Sequence, residues 1–276
     1  MSLRAKAEVL RKLHQGPRAL LLPNVWDVAG ARIVEEAGFP ALATSSAAIA
    51  NSLGYPDGQR IGRTAMLEVV ERIAAAVQVP VTADLEAGYA QTPQQMTETA
   101  VELLASGAVG LNLEDGLEEK SLVPADEHVA KIHALRLAGE AAGVPIVINA
   151  RTDVYLAEVG PPESRFGESV RRGRLYRQAG ADCFFVPGLR DAATIGRLVK
   201  EVGCPVNLLA GPGFPPIAEL EKLGVARVSL GSSPHRATLG LLRRLAVEIR
   251  EHGTYSALEG MVSYAEANAL FRPRQK

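Results

Sequence analysis

The chain has 276 residues, with 30 Lys and Arg against 31 Asp and Glu, a formal net charge of -1 and 47% hydrophobic residues. That length suits one (β/α)8 barrel of roughly 250 residues, and the apolar content is enough for one large core. The balanced charge, with no basic block, excludes a chain built to track a phosphate backbone, and no apolar run reaches the ~18 residues of a membrane span.

The start, Met1-Ser2-Leu3-Arg4-Ala5-Lys6, leads into an amphipathic stretch and not into the apolar region of a secretion signal, so a cytoplasmic protein is expected. Short apolar runs then recur at 20–25, 41–45, 79–83, 110–113, 145–150, 183–186, 205–209 and 227–230, each followed by a segment of helical period. Continuous apolar strands imply burial on both faces, as in a parallel sheet wrapped by helices. An open doubly wound sheet is the rival fold. It should carry a Gly-rich turn after its first strand, and here that turn reads Pro23-Asn24-Val25-Trp26-Asp27-Val28. The expectation is a single α/β domain over 1–276, a (β/α)8 barrel of the TIM type.

Glu36-Ala37-Gly38-Phe39, Ala105-Ser106-Gly107-Ala108, Gln178-Ala179-Gly180-Ala181 and Lys222-Leu223-Gly224-Val225 each end a helix with a glycine suited to the left-handed cap. A helical tail runs from about residue 234 to 271, broken near His252-Gly253-Thr254-Tyr255. Its second part, 256–271, is longer than barrel closure needs.

In such a barrel the strand ends converge on the active site. Taken in order they carry Ser45 and Ser46, Asp84 and Glu86, Glu114 and Asp115, Arg151 and Asp153, and Asn207. Asp84 and Glu86 are two apart, so in a strand both side chains point the same way. With Glu114 and with Asp57 from the loop Gly54-Tyr55-Pro56-Asp57-Gly58 they concentrate negative charge that calls for a cation. Oxygen-only donors suit a hard ion that keeps waters and substrate oxygens, so Mg²⁺ is expected, with Mn²⁺ as a substitute. Arg151 offers a fork of donors to a substrate carboxylate, or neutralises the neighbouring acids. Ser45 and Ser46 place hydroxyls and N–H groups before a helix, where an anion settles.

The motifs Asn24-Val25-Trp26-Asp27, Gly54-Tyr55-Pro56-Asp57, Asp84-Leu85-Glu86-Ala87-Gly88-Tyr89, Asn112-Leu113-Glu114-Asp115 and Asn149-Ala150-Arg151-Thr152-Asp153 together resemble the isocitrate lyase and phosphoenolpyruvate mutase superfamily. The resemblance implies Asp84 in contact with Mg²⁺, and Asp57, Glu86 and Glu114 acting directly or through waters. It places Ser45, Ser46 and Arg151 at the substrate carboxylate, and Asn207 near the substrate. It makes Asp57 and Arg151 catalytic. It also implies a last helix, 256–271, exchanged between subunits of a homodimer or homotetramer.

The implied activity is a lyase-type reaction making or breaking a C–C bond beside a small 2-oxo or 2-hydroxy acid through an enolate. Phosphonopyruvate-type P–C chemistry and non-catalytic binding of a 2-oxo acid are the alternatives. The loop 116–124 lacks the Lys-[LysArg]-Cys-Gly-His motif of the lyase branch. Cys183 and Cys204 are expected to be reduced thiols, and the five histidines to lie at the surface, with His235 a possible neighbour of the mouth.

Overall fold

The computed structural model describes residues 1–117 and 120–272. Glu118 and Glu119, in the loop singled out above, and residues 273–276 lie outside the described residues. In chain order the elements are α1 (Leu3–Leu13), β1 (Leu20–Leu22), β2 (Asn24–Val25), α2 (Val28–Glu36), β3 (Leu42–Thr44), α3 (Ser46–Ser52), α4 (Arg63–Ala76), β4 (Val81–Asp84), α5 (Pro93–Ala105), β5 (Gly110–Glu114), β6 (Gly116–Leu117), β7 (Ser121–Leu122) and α6 (Ala125–Ala141). Then follow β8 (Val147–Arg151), α7 (Pro162–Gln178), β9 (Cys183–Phe185), α8 (Ala192–Val202), β10 (Val206–Leu209), α9 (Ile217–Lys222), β11 (Arg227–Ser229), α10 (Ser233–His252), a 3₁₀ turn at Ser256–Leu258 and α11 (Tyr264–Ala269).

Nine strands form one parallel sheet in the order β1-β11-β10-β9-β8-β5-β4-β3-β2, and β6 and β7 form a separate antiparallel hairpin. The two ends of that order are halves of one strand, divided at Pro23, whose nitrogen cannot donate to a ladder. The sheet is therefore the expected eight-stranded barrel, with its seam at Pro23. Asn24 closes this seam with its side chain: Nδ2 donates to Thr44 O at 2.7 Å, and Oδ1 accepts from Leu230 N and Gly231 N, both at 2.8 Å.

The pairing register sorts the strand residues into two faces. Arg227 pairs with Leu20 and Asn207, Asn207 with Phe185, Arg151 with Phe185 and Glu114, Asn112 with Asn149 and Asp84, and Thr82 with Gly110. The intervening residues, such as Ala83, Leu111, Leu113, Ile148, Phe184, Val206 and Val228, are buried on the opposite face, where Phe184 meets Tyr176 of α7 ring to ring. The strands thus alternate, in contrast to the continuous apolar runs expected. Their outer face is apolar, and the inner face carries Asn24, Thr82, Asn112, Asn149, Asn207, Arg227 and Ser229 where barrels of this kind usually hold branched aliphatics.

Helix α1 seals the end of the barrel remote from the strand termini. Leu10 is fully buried and passes so close to Gly110 that a Cβ there would lie 2.9 Å from Leu10 Cδ2 and 3.0 Å from the Val147 carbonyl oxygen. Arg11 ion-pairs with Asp182 at 2.9 Å.

Two expectations need correction. Segment 256–271 is a 3₁₀ turn followed by the six-residue α11: Gly253 turns left-handed at the end of α10, and neither short element buries a residue that would sustain a long helix. Three of the five histidines, His14, His128 and His235, are buried, since an imidazole packs as an aromatic ring: His128 lies 4.5 Å from Tyr176 and His235 sits 4.9 Å from Trp26, edge-on. The start of α10 is residue 233 with Ser232 as its N-cap, and no side chain caps it. Cys183 and Cys204 are free thiols, as expected. No described helix is long and apolar enough to cross a membrane.

Replacing Gly110 by Ala should destabilise the protein by about 1–3 kcal/mol through overpacking against backbone. Denaturant unfolding checks this, and a stability unchanged within error would mean that the α1 plug yields.

Candidate active site

The candidate residues come from elements that end at one face of the barrel. Strand β4 ends at Asp84, whose backbone N donates to Thr44 Oγ1 at 2.9 Å and whose Oδ2 accepts from Ser46 N at 3.1 Å and Ser46 Oγ at 2.9 Å. Its Oδ1 accepts from Asn112 Nδ2 at 3.2 Å. Ser46 Oγ also lies 3.4 Å from Asp57 Oδ1, which brings the loop acid beside the strand acid. Ser45 spends its hydroxyl as the N-cap of α3, accepting from Ala48 N, and its own N–H goes to Val25 O. Both serine N–H groups offered to an anion by the sequence are thus already engaged within the chain.

Glu86 reaches the same region by a route that strand alternation does not describe. The strand stops at Asp84, and Glu86 adopts φ +53° in a turn. Its Oε2 accepts from Gln59 N at 2.6 Å and its Oε1 from Tyr89 OH at 3.1 Å, while Tyr89 N donates to Gln59 Oε1 at 2.8 Å. Gln59 and Tyr89 are left-handed too, at φ +56° and +52°. Each such residue costs of order 1–3 kcal/mol, and strain of this kind gathers at functional sites. Gly88 beside them, at φ +87°, leaves room for Met96: a Cβ there would lie 2.2 Å from Met96 Cε.

Across the mouth, Arg151 is shared. Its Nη1 pairs with Glu114 at 2.5 Å, and its Nε and Nη2 with the two Asp153 oxygens at 2.6 and 3.0 Å. The guanidinium therefore neutralises neighbouring acids here, the second of the two roles its position suggested. Asp115 belongs elsewhere. Fully buried, it accepts from Tyr176 OH at 2.5 Å, Arg172 Nη1 at 3.0 Å and Asp153 N at 3.0 Å, tying the hairpin base to α7. Asn207 lies inside the barrel, exchanging hydrogen bonds with Ser229 at 3.1 and 3.2 Å, and its described hydrogen bonds reach none of the acids.

The charges acting on one another show that the acids form one group. Burial, then the Asp84 charge, raises the Asp57 carboxyl. Burial, then Asp57 and Asp84, pushes Glu86 up to about 7. Burial raises Glu114 to about 8 even against the pull of Arg151. For Arg151, burial opposes the charged form and the Glu114 and Asp153 charges more than offset it, so its pKa rises. Among the described residues no three His, Cys, Asp or Glu side chains converge as a ready-made metal cage. A donor set made only of oxygens, short of a full shell, fits an ion that keeps several waters and takes the rest of its oxygens from a ligand.

Thr44, Gln59 and Arg227 stand outside the sequence motifs, and Tyr89 stands in one without an assigned role. The available signal was period two: Arg227-Val228-Ser229 alternates polar and apolar within a run read as continuously apolar.

Acids with raised native pKa values bind more protons folded than unfolded, so their contribution to stability falls as pH rises from about 4.5 through 7 to 8. The metal-free protein should lose thermal stability over this window, and Mg²⁺ should restore more of it at pH 8 than at pH 5.5. Scanning calorimetry with and without Mg²⁺ reads both; an Mg²⁺ effect independent of pH would contradict the cluster's role.

The geometry has parallels among known proteins. A crystal structure from Burkholderia cenocepacia J2315, provisionally described as a lyase/mutase, superposes with a TM-score of 0.91 at 37% identity, covering 98% of this chain and 97% of that one. Oxaloacetate decarboxylase of Bradyrhizobium diazoefficiens is 27% identical over 278 residues, 99% of this chain and 94% of the relative. A phosphonopyruvate hydrolase solved with oxalate and Mg²⁺ has a TM-score of 0.84 at 26% identity over 98% of this chain and 95% of its own. The phosphoenolpyruvate phosphomutase family matches residues 10–250, and the chain belongs to that family within the isocitrate lyase and phosphoenolpyruvate mutase superfamily.

Proposed function

We propose that the protein is an Mg²⁺-dependent lyase that cleaves or forms a carbon–carbon bond next to the functional carbon of a small 2-oxo or 2-hydroxy carboxylic acid, through an enolate. The observation that carries this reading is the crowding of Asp57, Asp84, Glu86 and Glu114 around a mouth whose described ion pairs use the single cation Arg151. Buried acids that raise one another's pKa are relieved by a divalent cation, and Mn²⁺ would serve as well as Mg²⁺ on charge grounds. When bound, the ion supplies positive charge against the oxygen that becomes negative as the bond breaks.

The chain's own residues account for the other steps. Three N–H directions of Arg151 are spent on Glu114 and Asp153, and the two remaining ones suit a substrate carboxylate. Ser46 fixes Asp84 through two donors and holds Asp57 beside it. In a 2-oxo acid, breaking the bond between C3 and its substituent leaves the electron pair on the C3–C2–O unit as an enolate, which a proton then quenches. In a 2-hydroxy acid the hydroxyl gives up its proton and becomes the 2-oxo group as the C2–C3 bond breaks, and the electron pair passes to C3 and its own carboxylate, where a proton quenches it. Asp57, raised by burial, is the acid placed to move that proton. The oxaloacetate decarboxylase relative favours a C–C substrate, and the phosphonopyruvate hydrolase keeps a P–C substrate as the second reading.

A panel of C4 keto acids, substituted malates and phosphonopyruvate, run with Mg²⁺ and with EDTA, tests this. A C–C cleavage product that EDTA suppresses is expected, and Asp84→Ala should lower turnover on the order of 100-fold or more. Full activity in that variant would refute the reading. Phosphate release would transfer it to P–C chemistry, and heat stabilisation without any product would make the protein a binder.

For the assembly we propose a homodimer or homotetramer in which α10 and segment 256–271 pack on a second subunit. Only His235 of α10 is buried, while Leu239, Leu241, Leu242, Val247 and Ile249 are exposed, Leu242 to 61%. The chain also leaves open an apolar groove of about 840 Å³ between α1, β1 and α9, lined by Leu20, Leu21, Phe39, Pro40, Ile217 and Ala218. Light scattering after size exclusion should give an oligomer that Leu242→Glu weakens to monomer; a wild-type monomer at micromolar concentration would end the proposal.

A further inference from the structure

Beneath the acids the barrel interior holds a charge that the reaction above does not use. Arg227 is 0% exposed and has no ion pair among the described residues. Its Nη2 donates to Asn112 Oδ1 at 3.3 Å and its Nε to Ser229 Oγ at 3.4 Å, and Nη1 has no hydrogen-bond partner. Burial lowers its pKa to about 10, so it stays charged at neutral pH. A lone buried cation costs several kcal/mol, and a chain shaped only for stability would place an aliphatic there.

The neighbouring amide shows what the charge accomplishes. An asparagine side chain offers an acceptor at one end and donors at the other. Asn112 meets Asn149 Nδ2 at 2.7 Å and Arg227 Nη2 at 3.3 Å on its oxygen, so its Nδ2 faces Asp84 Oδ1 at 3.2 Å. Asn149 could present either end of its own amide. A guanidinium is donor-only and an ionised carboxylate acceptor-only, so Arg227 and Asp84 fix the amide from its two ends, and Arg227 is the member on the Asn112 oxygen that cannot reverse. If the Asn112 amide reversed, two oxygens would face each other at Asp84.

We propose that Arg227, acting through Asn112, is a positioning residue that fixes the orientation of Asp84 and so gives the barrel mouth a rigid oxygen geometry selective for Mg²⁺. Ser46 holds Asp84 Oδ2 from above, and the Asn112–Arg227 pair holds Oδ1 from below. The inference rests on the proposed role of Asp84 at the cation. Mg²⁺ demands near-ideal octahedral geometry, whereas Ca²⁺ accepts irregular shells. Losing a charge beneath the site would shift both affinities in the same sense; losing orientation penalises Mg²⁺ alone.

The test is calorimetric titration of Mg²⁺ and of Ca²⁺ into the full chain with oxalate present, for wild type, Arg227→Met, Arg227→Lys and Asn112→Asp, with unfolding midpoints recorded beside them. Asn112→Asp keeps shape and gives Arg227 an ion partner, so it guards against a mere folding failure of Arg227→Met. Both should lower the Mg²⁺ to Ca²⁺ affinity ratio at least 10-fold, and Arg227→Lys, whose ammonium is also donor-only, should stay within threefold of wild type. Folded Arg227→Met and Asn112→Asp with a wild-type ratio would overturn the proposal, as would unfolding of both, which would assign the pair to stability alone. An Asp84→Ala variant that takes up Mg²⁺ like wild type would instead overturn the cation reading beneath it.

Discussion

Repulsion among carboxylates is the constraint around which the mouth of this barrel is arranged. Closing eight parallel strands brings the ends of β4, β5 and β8 together, so that acids distant in sequence share one small volume. The fold then supplies counterweights. Arg151 is divided between Glu114 and Asp153, Ser46 donates twice to Asp84, and Gln59 with Tyr89 holds Glu86. These contacts orient the acids without discharging them, and the pKa values of Asp57, Glu86 and Glu114 remain raised. That unrelieved repulsion, which a proton or a metal ion can quench, is what supports the proposed cation there.

The polar inner face explains how such precision is kept in the barrel. Aliphatic layers would fill the interior equally well, but they cannot tell one end of an amide from the other. The ladder Asn149–Asn112–Asp84, with Arg227 against Asn112, transmits direction, because each donor must meet an acceptor. Cohesion is carried elsewhere, by the apolar outer face of the strands against the helices and by Leu10 beneath. The two tasks are thus divided between the two sides of the same strands: stability outside, orientation inside.

Much of this was legible in the residues, and what escaped did so for physical reasons. The eight strand positions, the barrel and the gathering of Asp57, Asp84, Glu86, Glu114 and Arg151 at one end follow from periodicity and from the convergence of strand ends. The place of Glu86 came out for the wrong reason, since a left-handed turn and not strand alternation brings it in. Segment 256–271 has the spacing of a long helix, but helical length depends on a surface to pack against, and within one chain none of its described residues is buried. The three buried histidines escape a reading by spacing, which reports metal pairing and says little about whether a neutral imidazole packs as a ring. Arg227 was hidden by its apolar neighbours: one charge in a short run reads as the strand's edge until the pairing register places it inside.

The hairpin after β5 bears on where the proton of the proposed reaction travels. In lyases that this chain resembles, the corresponding loop carries a cysteine; here the described part of the hairpin has none. The hairpin is also fastened at its base, through Asp115 to Arg172 and Tyr176, and at Lys120, which pairs with Glu158 at 3.2 Å. Among the described residues, the acids that could supply a proton to the proposed reaction lie at the barrel mouth. Glu86 already accepts from Gln59 and Tyr89, and Glu114 is in contact with Arg151. Asp57 is more lightly held, by the long contact to Ser46 and the Gly58 backbone, and it sits on a loop instead of a strand. An acid that must shed and regain a proton is best left with few donors fixing its charged form, and of the acids in this cluster Asp57 meets that condition most nearly.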